Sequence, residues 1–409
     1  MKALTPLIVL LALCSLTYGE NEKNQTLDRY ISKNKKEQFA YDYEKIEAQS
    51  SKLRDSWISP INLNYSYSQS NPYEKEQTSE KTSIKMDQAI FASGGIYYGI
   101  KFAQASQKYS NYSVDVAKRR LVKDAISLLM QIKQMDLKVK RQNLQIKNSE
   151  ISLAQKKEQY LNGQLSSGFL DNAVIERNFV IQALYDIQTN KQRLISKFNA
   201  ISDMDFTSAY IPYLDKLTKE DFLKYNIVLS MSQSDIERNR YNKNVTISKY
   251  LPRVNFVAGY NFDKTENQQF GNTGAGFSGN TDYYNYGLRA TMPLDINTFN
   301  DIEVSKVEYL KSKVMIEDKK RELIAIFEQV MQNIQNFQKK KTLSRENADI
   351  YKKLLLETKD MYSAGYKTHY DVSLLENSVN IQSIDVKIFE IDKQLELLTL
   401  YEMYKNEKN

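Results

Sequence analysis

Only two side chains in this sequence have the intrinsic reactivity of a thiol or an imidazole, Cys14 and His369, and each is the single residue of its type. One histidine supplies neither a histidine-based metal site nor a Ser-His triad. A lone cysteine forms no internal disulfide, and no glycine-rich phosphate loop is present. The 57 Lys and Arg and the 50 Asp and Glu give a net charge of +7, but the two signs are interspersed. That pattern describes solvated helix faces rather than a nucleic-acid footprint. The chemistry available is therefore that of surfaces and charges. An enzyme, a cofactor, a bound metal and a nucleic-acid partner are all unexpected.

The elements that position those charges are long. Residues 100–162 and 294–364 contain neither glycine nor proline, and each run is followed by a glycine-marked turn and a second clean run, 169–211 or 366–409. Both residue types weaken or break helix interiors, so their exclusion predicts very long helices, roughly 90–105 Å for the longer two at about 1.5 Å per residue. A short alternating, aromatic-rich segment precedes each pair. Residues 20–59 and 213–251 are also free of glycine and proline and form a leading helix for each half, with Pro212 between the halves. The chain thus divides into repeat 1 (20–211) and repeat 2 (212–409). Residues 1–19 have the pattern of a signal peptide: Lys2, the apolar stretch Leu7–Leu13, and a small-residue site ending at Gly19. A lipid-anchored alternative would need a small residue before Cys14, where Leu13 stands.

In the first long run, Val114, Ala117, Leu121, Ala125, Leu128, Ile132, Met135 and Val139 form one apolar seam. Met130, Leu137, Leu144 and Ile151 form a second on a neighbouring face. Two seams suit a helix with partners on two sides, as in a bundle or a wall of helices, although an ordinary coiled coil has the same periodicity. The other long run repeats the pattern with Leu323, Phe327, Val330, Ile334 and Phe337. Predicted helices span about 96–161, 169–200, 300–363 and 369–405.

Predicted strands lie at about 60–69, 82–91, 252–263 and 282–294. Alternation is strict from Ile61 to Ser68 and nearly so from Val254 to Phe262; Tyr284, Tyr286, Leu288, Ala290 and Met292 alternate with polar residues or glycine. Segments of this length with one apolar and one polar face are the signature of outer-membrane barrel strands. A soluble hairpin with one wet face gives the same pattern. The polar segments 69–81 and 263–281 are expected as loops. Four strands leave open edges that lipid does not tolerate, so one chain cannot close a barrel, whereas three chains would supply twelve strands.

With these segments in order, the sequence resembles outer-membrane efflux proteins of the TolC family, twice over and across the whole chain beyond residue 19. Gln88-Ala89-Ile90-Phe91-Ala92-Ser93-Gly94-Gly95 resembles that family's strand-to-helix motif, with alanine for proline, and Met292-Pro293-Leu294-Asp295 does so more loosely. The family's helix-to-helix turn, Tyr-x-x-Gly-x-x-Ser/Thr-x-x-Asp, fits Tyr362 to Asp371 without gaps. Tyr160 to Ser166 begins the same way, with Asp171 reached only after a two-residue insertion. The resemblance implies a mainly α protein with membrane β: a homotrimer whose twelve-stranded outer-membrane barrel, set in lipid, continues into a long α-helical periplasmic tunnel. Such a duct passes small molecules or secreted proteins outward, served by a periplasmic adaptor and an inner-membrane pump.

By the same resemblance, Asp371 is a pore-constricting ring residue at the tunnel tip, Tyr362 a closed-state contact and Lys367 its basic partner. The second aspartate of the family's ring is Leu374 here. Adaptor contact would use the turns, at Gly163, Gln164, Gly365 and Tyr366. Asp371 equally suits a helix N-terminal cap, and the glycines equally suit turn geometry alone. The rival reading, a structural or adhesive coiled-coil protein of the envelope, explains the helices but not the duplicated strands. A periplasmic adaptor would be expected to carry one helical hairpin between β-rich modules.

Overall fold

The computed structural model describes residues 28–71, 76–269 and 276–405, so the expected signal segment 1–19 lies outside the described residues. Repeat 1 contains α1 (Lys33–Arg54), β1 (Asn62–Ser70), β2 (Gln77–Phe91), α2 (Gly95–Leu161) and α3 (Ser167–Asn199). Repeat 2 contains a one-turn helix α4 (Lys219–Lys224), then α5 (Ile227–Lys249), β3 (Arg253–Gln269), β4 (Gly276–Thr291), α6 (Thr298–Ser363) and α7 (His369–Met403). At 67 and 66 residues, α2 and α6 are each about 100 Å long. Among the described residues, no helix is long and apolar enough to cross a membrane.

The helices form a wall. Over the half next to the strands the order is α1, α2, α5, α6, and over the far half it is α3, α2, α7, α6. The shorter helices meet end to end along the long ones. The chain leaving α3 meets the start of α1 through Ser32 N donating to Ile201 O (2.9 Å). The end of α7 meets the start of α5 through Lys405 N donating to Tyr225 O (2.8 Å). Two cores sit at this equator. One joins Val122, Leu129, Ile132 and Met135 of α2 to Leu194 and Phe198 of α3, Leu398 of α7, and Tyr30 and Ile31. The other joins Leu323, Phe327, Val330 and Ile334 of α6 to Phe222 of α4 and to Leu397 and Leu400 of α7. The two-seamed reading of α2 is thus realised as packing against neighbours on both sides.

Both ends of the described chain are pinned here on α2. Lys118 pairs with Asp28 (2.6 Å), Lys405 with Asp115 (3.2 Å), and Arg119 donates to the Tyr404 carbonyl (2.8 Å). Tyr43 donates to Asp115, and its burial beside that carboxylate pushes its hydroxyl pKa upward.

The four strands form one antiparallel sheet in the order β1-β2-β3-β4, so the central β2–β3 pair stitches the two repeats together. They run further than alternation predicts: β2 begins at Gln77, β3 continues to Gln269 and β4 begins at Gly276, inside the segments expected as loops. Hydrogen bonding between backbones extends the ladder past the point where the side chains stop being apolar. A register shift between Ala89 and Phe91 lets Phe91 sit opposite Val254.

Candidate functional site

Register assigns the sheet two faces. Rows such as Leu63–Ile84–Tyr260–Tyr284 and Met86–Ala258–Tyr286 make one face apolar and aromatic. Rows such as Asn62–Lys85–Gly259–Asn285 and Asn64–Ser83–Asn261–Tyr283 make the other mostly polar. On β3 the apolar face runs from Val254 to Phe262, about 26 Å of strand, before giving way to the row Glu80–Lys264–Asn280. At a barrel tilt near 40° that is about 20 Å of height, comparable with a membrane-embedded band. Among the described residues nothing covers this face: Leu63 is 70 % exposed, Tyr284 and Tyr286 are 74 % exposed, and β1 is exposed along its whole length. A soluble hairpin would bury one face on its own core.

The opposite end of the wall carries the two helix-to-helix turns. Both close in the same way. Gly163 and Gly365 take left-handed φ angles of +72° and +81°. Each glycine N–H donates to a tyrosine carbonyl (Tyr160 or Tyr362, 3.0 Å), and the next residue reaches back to Gln159 O or Met361 O at 2.8 Å. This is the Schellman closure, which needs glycine because a Cβ disfavours that φ. A Cβ on either glycine would meet nothing within 4 Å, so the requirement is conformational and not steric crowding. Gln164, Tyr366 and Lys367 are exposed at the turns, and Tyr362 is half exposed on the last turn of α6.

The turns have equal length, so they match residue for residue without the insertion that the sequence pattern requires. Ser166 corresponds to Thr368, and the position of Asp371 is occupied in repeat 1 by Phe169, not Asp171. At α7, Thr368 and Asp371 form a capping box: the Asp371 carboxylate accepts from Thr368 N (2.9 Å) and Oγ1 (2.8 Å), while Asp371 N donates to Thr368 Oγ1 (3.3 Å). The backbone bond from Thr368 holds the Asp371 carboxyl below the usual carboxylate range, with a smaller contribution from the charge of Lys367. Asp371 therefore bonds to the cap, and neither Tyr362 nor Lys367 is its hydrogen-bond partner among the described residues. Ser166 makes no side-chain cap bond, and Phe169 is 56 % exposed.

Repeats 1 and 2 are tied together behind the turns. Tyr370 donates to Glu158 (3.0 Å), Asn377 to Asn148 (2.7 Å), and Arg141 pairs with Asp385 (3.1 Å). The turn motif contains Thr368 but gives the cap to Asp371, whereas Thr368 is the cap residue and Asp371 stands three positions on; Phe169 and the Tyr370–Glu158 link lie outside the motif, and a gap-free overlay of the two turns finds Phe169. His369 stacks beside Tyr370, with ring centres 3.9 Å apart. Among the described residues, no group of His, Cys, Asp and Glu could hold a metal ion.

Residues 220–385 match the family model described as outer membrane efflux protein. No curated protein sequence matches the chain. Among solved structures, the Campylobacter jejuni CmeC outer membrane channel is similar at a TM-score of 0.72 and 12 % identity, covering 94 % of this chain and 87 % of its own. The Vibrio cholerae outer membrane protein VceC is similar at 0.69 and 12 %, covering 90 % and 92 %. The open state of the Neisseria gonorrhoeae MtrE outer membrane channel is similar at 0.65 and 11 %, covering 92 % and 87 %. At such identities the shared property is the fold.

Proposed function

We propose that this chain, whose residues 220–385 match the outer membrane efflux protein family model, works as such a protein and that three copies close into a channel-tunnel. The observation that carries this reading is the agreement between the open edges of the two layers. Strand β1 and helices α1 and α3 lie on one side of the chain, and β4 and α6 on the other. Both helical edges expose apolar side chains: Phe169, Ile175 and Phe179 on α3, and Val304, Val307 and Val314 on α6. Joining β4 with α6 of one copy to β1 with α1 and α3 of the next satisfies the sheet edges and buries both stripes. The apolar sheet face then meets lipid and the polar face lines the pore. An adhesive coiled coil gives no reason for a sheet uncovered on both faces.

The tunnel's far end is the entry. The Asp371 carboxylates converge there as the gate, with Tyr362 and Lys367 as its closed-state contacts. Like charges at close range are mutually unfavourable and attract cations, so the entry prefers cations. Lys367 lacks the bidentate fork of arginine and latches loosely. The exposed turns at Gly163, Gln164, Gly365 and Tyr366 dock a periplasmic adaptor that connects to an inner-membrane pump.

Detergent-subtracted light scattering on protein extracted from outer membranes tests the assembly. A mass near three chains is expected, and a well-behaved monomer or dimer would leave the sheet unable to close. For the gate, Asp371→Ala should lower cation preference about twofold at ~0.1 M salt; unchanged selectivity would remove Asp371 from that role. Crosslinks from positions 164 and 366 to the adaptor in a working pump test the docking turns.

A further inference from the structure

The polar face of the sheet is not electrically neutral, and its register says which charges are free. Among the described residues, six charged side chains lie on it: Lys81, Lys85, Asp87, Arg253, Asp263 and Arg289. Each acid has a cation beside it: Asp87 in an ion pair, Asp263 by register alone. Arg289 pairs with Asp87 at 3.1 Å, and Asn255 Nδ2 donates to the same carboxylate at 2.6 Å. Asp263 stands directly opposite Lys81 on the neighbouring strand.

Lys85 and Arg253 have no such acid. The row of Lys85 consists of Asn62, Gly259 and Asn285. Asn285 leans over Gly259, its Oδ1 only 2.7 Å from where a Cβ would stand, so an amide covers that row and no carboxylate enters it. Lys85 is exposed and makes no ion pair among the described residues. Arg253, opposite Thr291 at the foot of β3, donates Nε to the Thr291 hydroxyl at 2.9 Å and leaves the rest of its guanidinium exposed. Along β3 the two rows are about 20 Å apart.

We propose that Lys85 and Arg253 make the barrel lumen an anion-attracting passage, so that the duct favours anionic solutes at its exit. This rests on the three-copy channel reading, in which the polar face lines the pore. Closure by threefold symmetry repeats each cation three times, giving one positive ring at the barrel's foot and another midway up. A narrow aqueous passage with low-dielectric walls focuses such a field and raises the local concentration of counter-charged solute. The acidic entry and the basic exit act as two filters in series. The entry masks the exit until its own charge is removed.

The test is single-channel reversal potential under a KCl gradient, with the full-length protein in planar bilayers. Asp371→Ala channels should prefer chloride. Adding Lys85→Gln or Arg253→Gln should each lower the chloride-to-potassium permeability ratio about twofold at ~0.1 M salt, the scale of three unit charges about 10 Å from the pore axis. Lys85→Arg should restore it. Pores of normal frequency with unselective Asp371→Ala channels, or with selectivity unmoved by both glutamine variants, would overturn the lumen assignment and leave the channel intact. Failure of wild-type trimers to form pores would overturn the channel reading and this inference with it.

Discussion

The turn between α2 and α3 and the turn between α6 and α7 have one backbone and two chemistries. Each ends its first helix on a left-handed glycine three residues after a tyrosine and closes with the same pair of hydrogen bonds. Beyond the glycine they part. Repeat 2 starts its next helix with a Thr368–Asp371 capping box, whereas repeat 1 offers Ser166 without a side-chain cap bond and places Phe169 where the carboxylate would be. Duplication therefore preserved what the fold needs, a residue able to adopt positive φ. It left free what the fold does not need, and the capping carboxylate belongs to one repeat alone.

The largest effect should come from the shared feature. Valine at either glycine forces a β-branched residue into the left-handed region, at a cost of about 1–2 kcal/mol. Gly163→Val and Gly365→Val should lower local stability about equally, measured by hydrogen exchange over the last turn of α2 or α6. A clear inequality would break the equivalence of the backbones. Next comes the cap. Thr368→Ala should destabilise the start of α7 by about 1 kcal/mol, while Ser166→Ala should change the start of α3 by less than about 0.5 kcal/mol. Equal losses would mean that Ser166 caps in solution.

Acid should separate the turns in the same direction. Because the folded pKa of Asp371 lies below its ordinary value of 3.8, its contribution is complete above that value and is lost as pH falls through the lower folded one. Exchange protection of the Thr368 amide should therefore hold at neutral pH and fall below about pH 4, with no matching change at Ser166. Protection independent of pH would show that the carboxylate does not hold that amide. Smallest is the tie between repeats: Tyr370→Phe removes an exposed bond to Glu158 and should lower stability by less than Thr368→Ala does, read by urea denaturation.

Much of this architecture is legible in the sequence because its signals are long. Exclusion of glycine and proline over residues 100–162 and 294–364 leaves few alternatives to α2 and α6. Strict alternation at Ile61–Ser68 specifies a two-faced strand before any partner is known. Strand ends were not legible, since pairing of Lys264 with Glu80 and Asn280 continues a backbone ladder with charged side chains that resemble a loop. The shift near Ile90 was hidden for the same reason: a bulge is a property of two strands together. At the tip, the turn motif points to Asp171 in repeat 1 and passes over Phe169, because a motif defined by side chains misses a position that matches only in backbone geometry. The end-to-end meeting of α3 with α1 lay beyond reach, as it depends on backbone groups of residues remote in sequence.

The pairing of β2 with β3 sets an order of events during synthesis. Thr82 waits for Phe262, so the first hairpin emerges with an edge that has no partner until most of the second repeat has been made. Closing so long an intervening segment is thermodynamically mild, since each doubling of loop length adds only about 0.6 kcal/mol, but non-local strand pairing is slow. A first repeat released by itself would present β2 as an open template, vulnerable to aggregation. The finished chain hides that edge at the centre of its sheet.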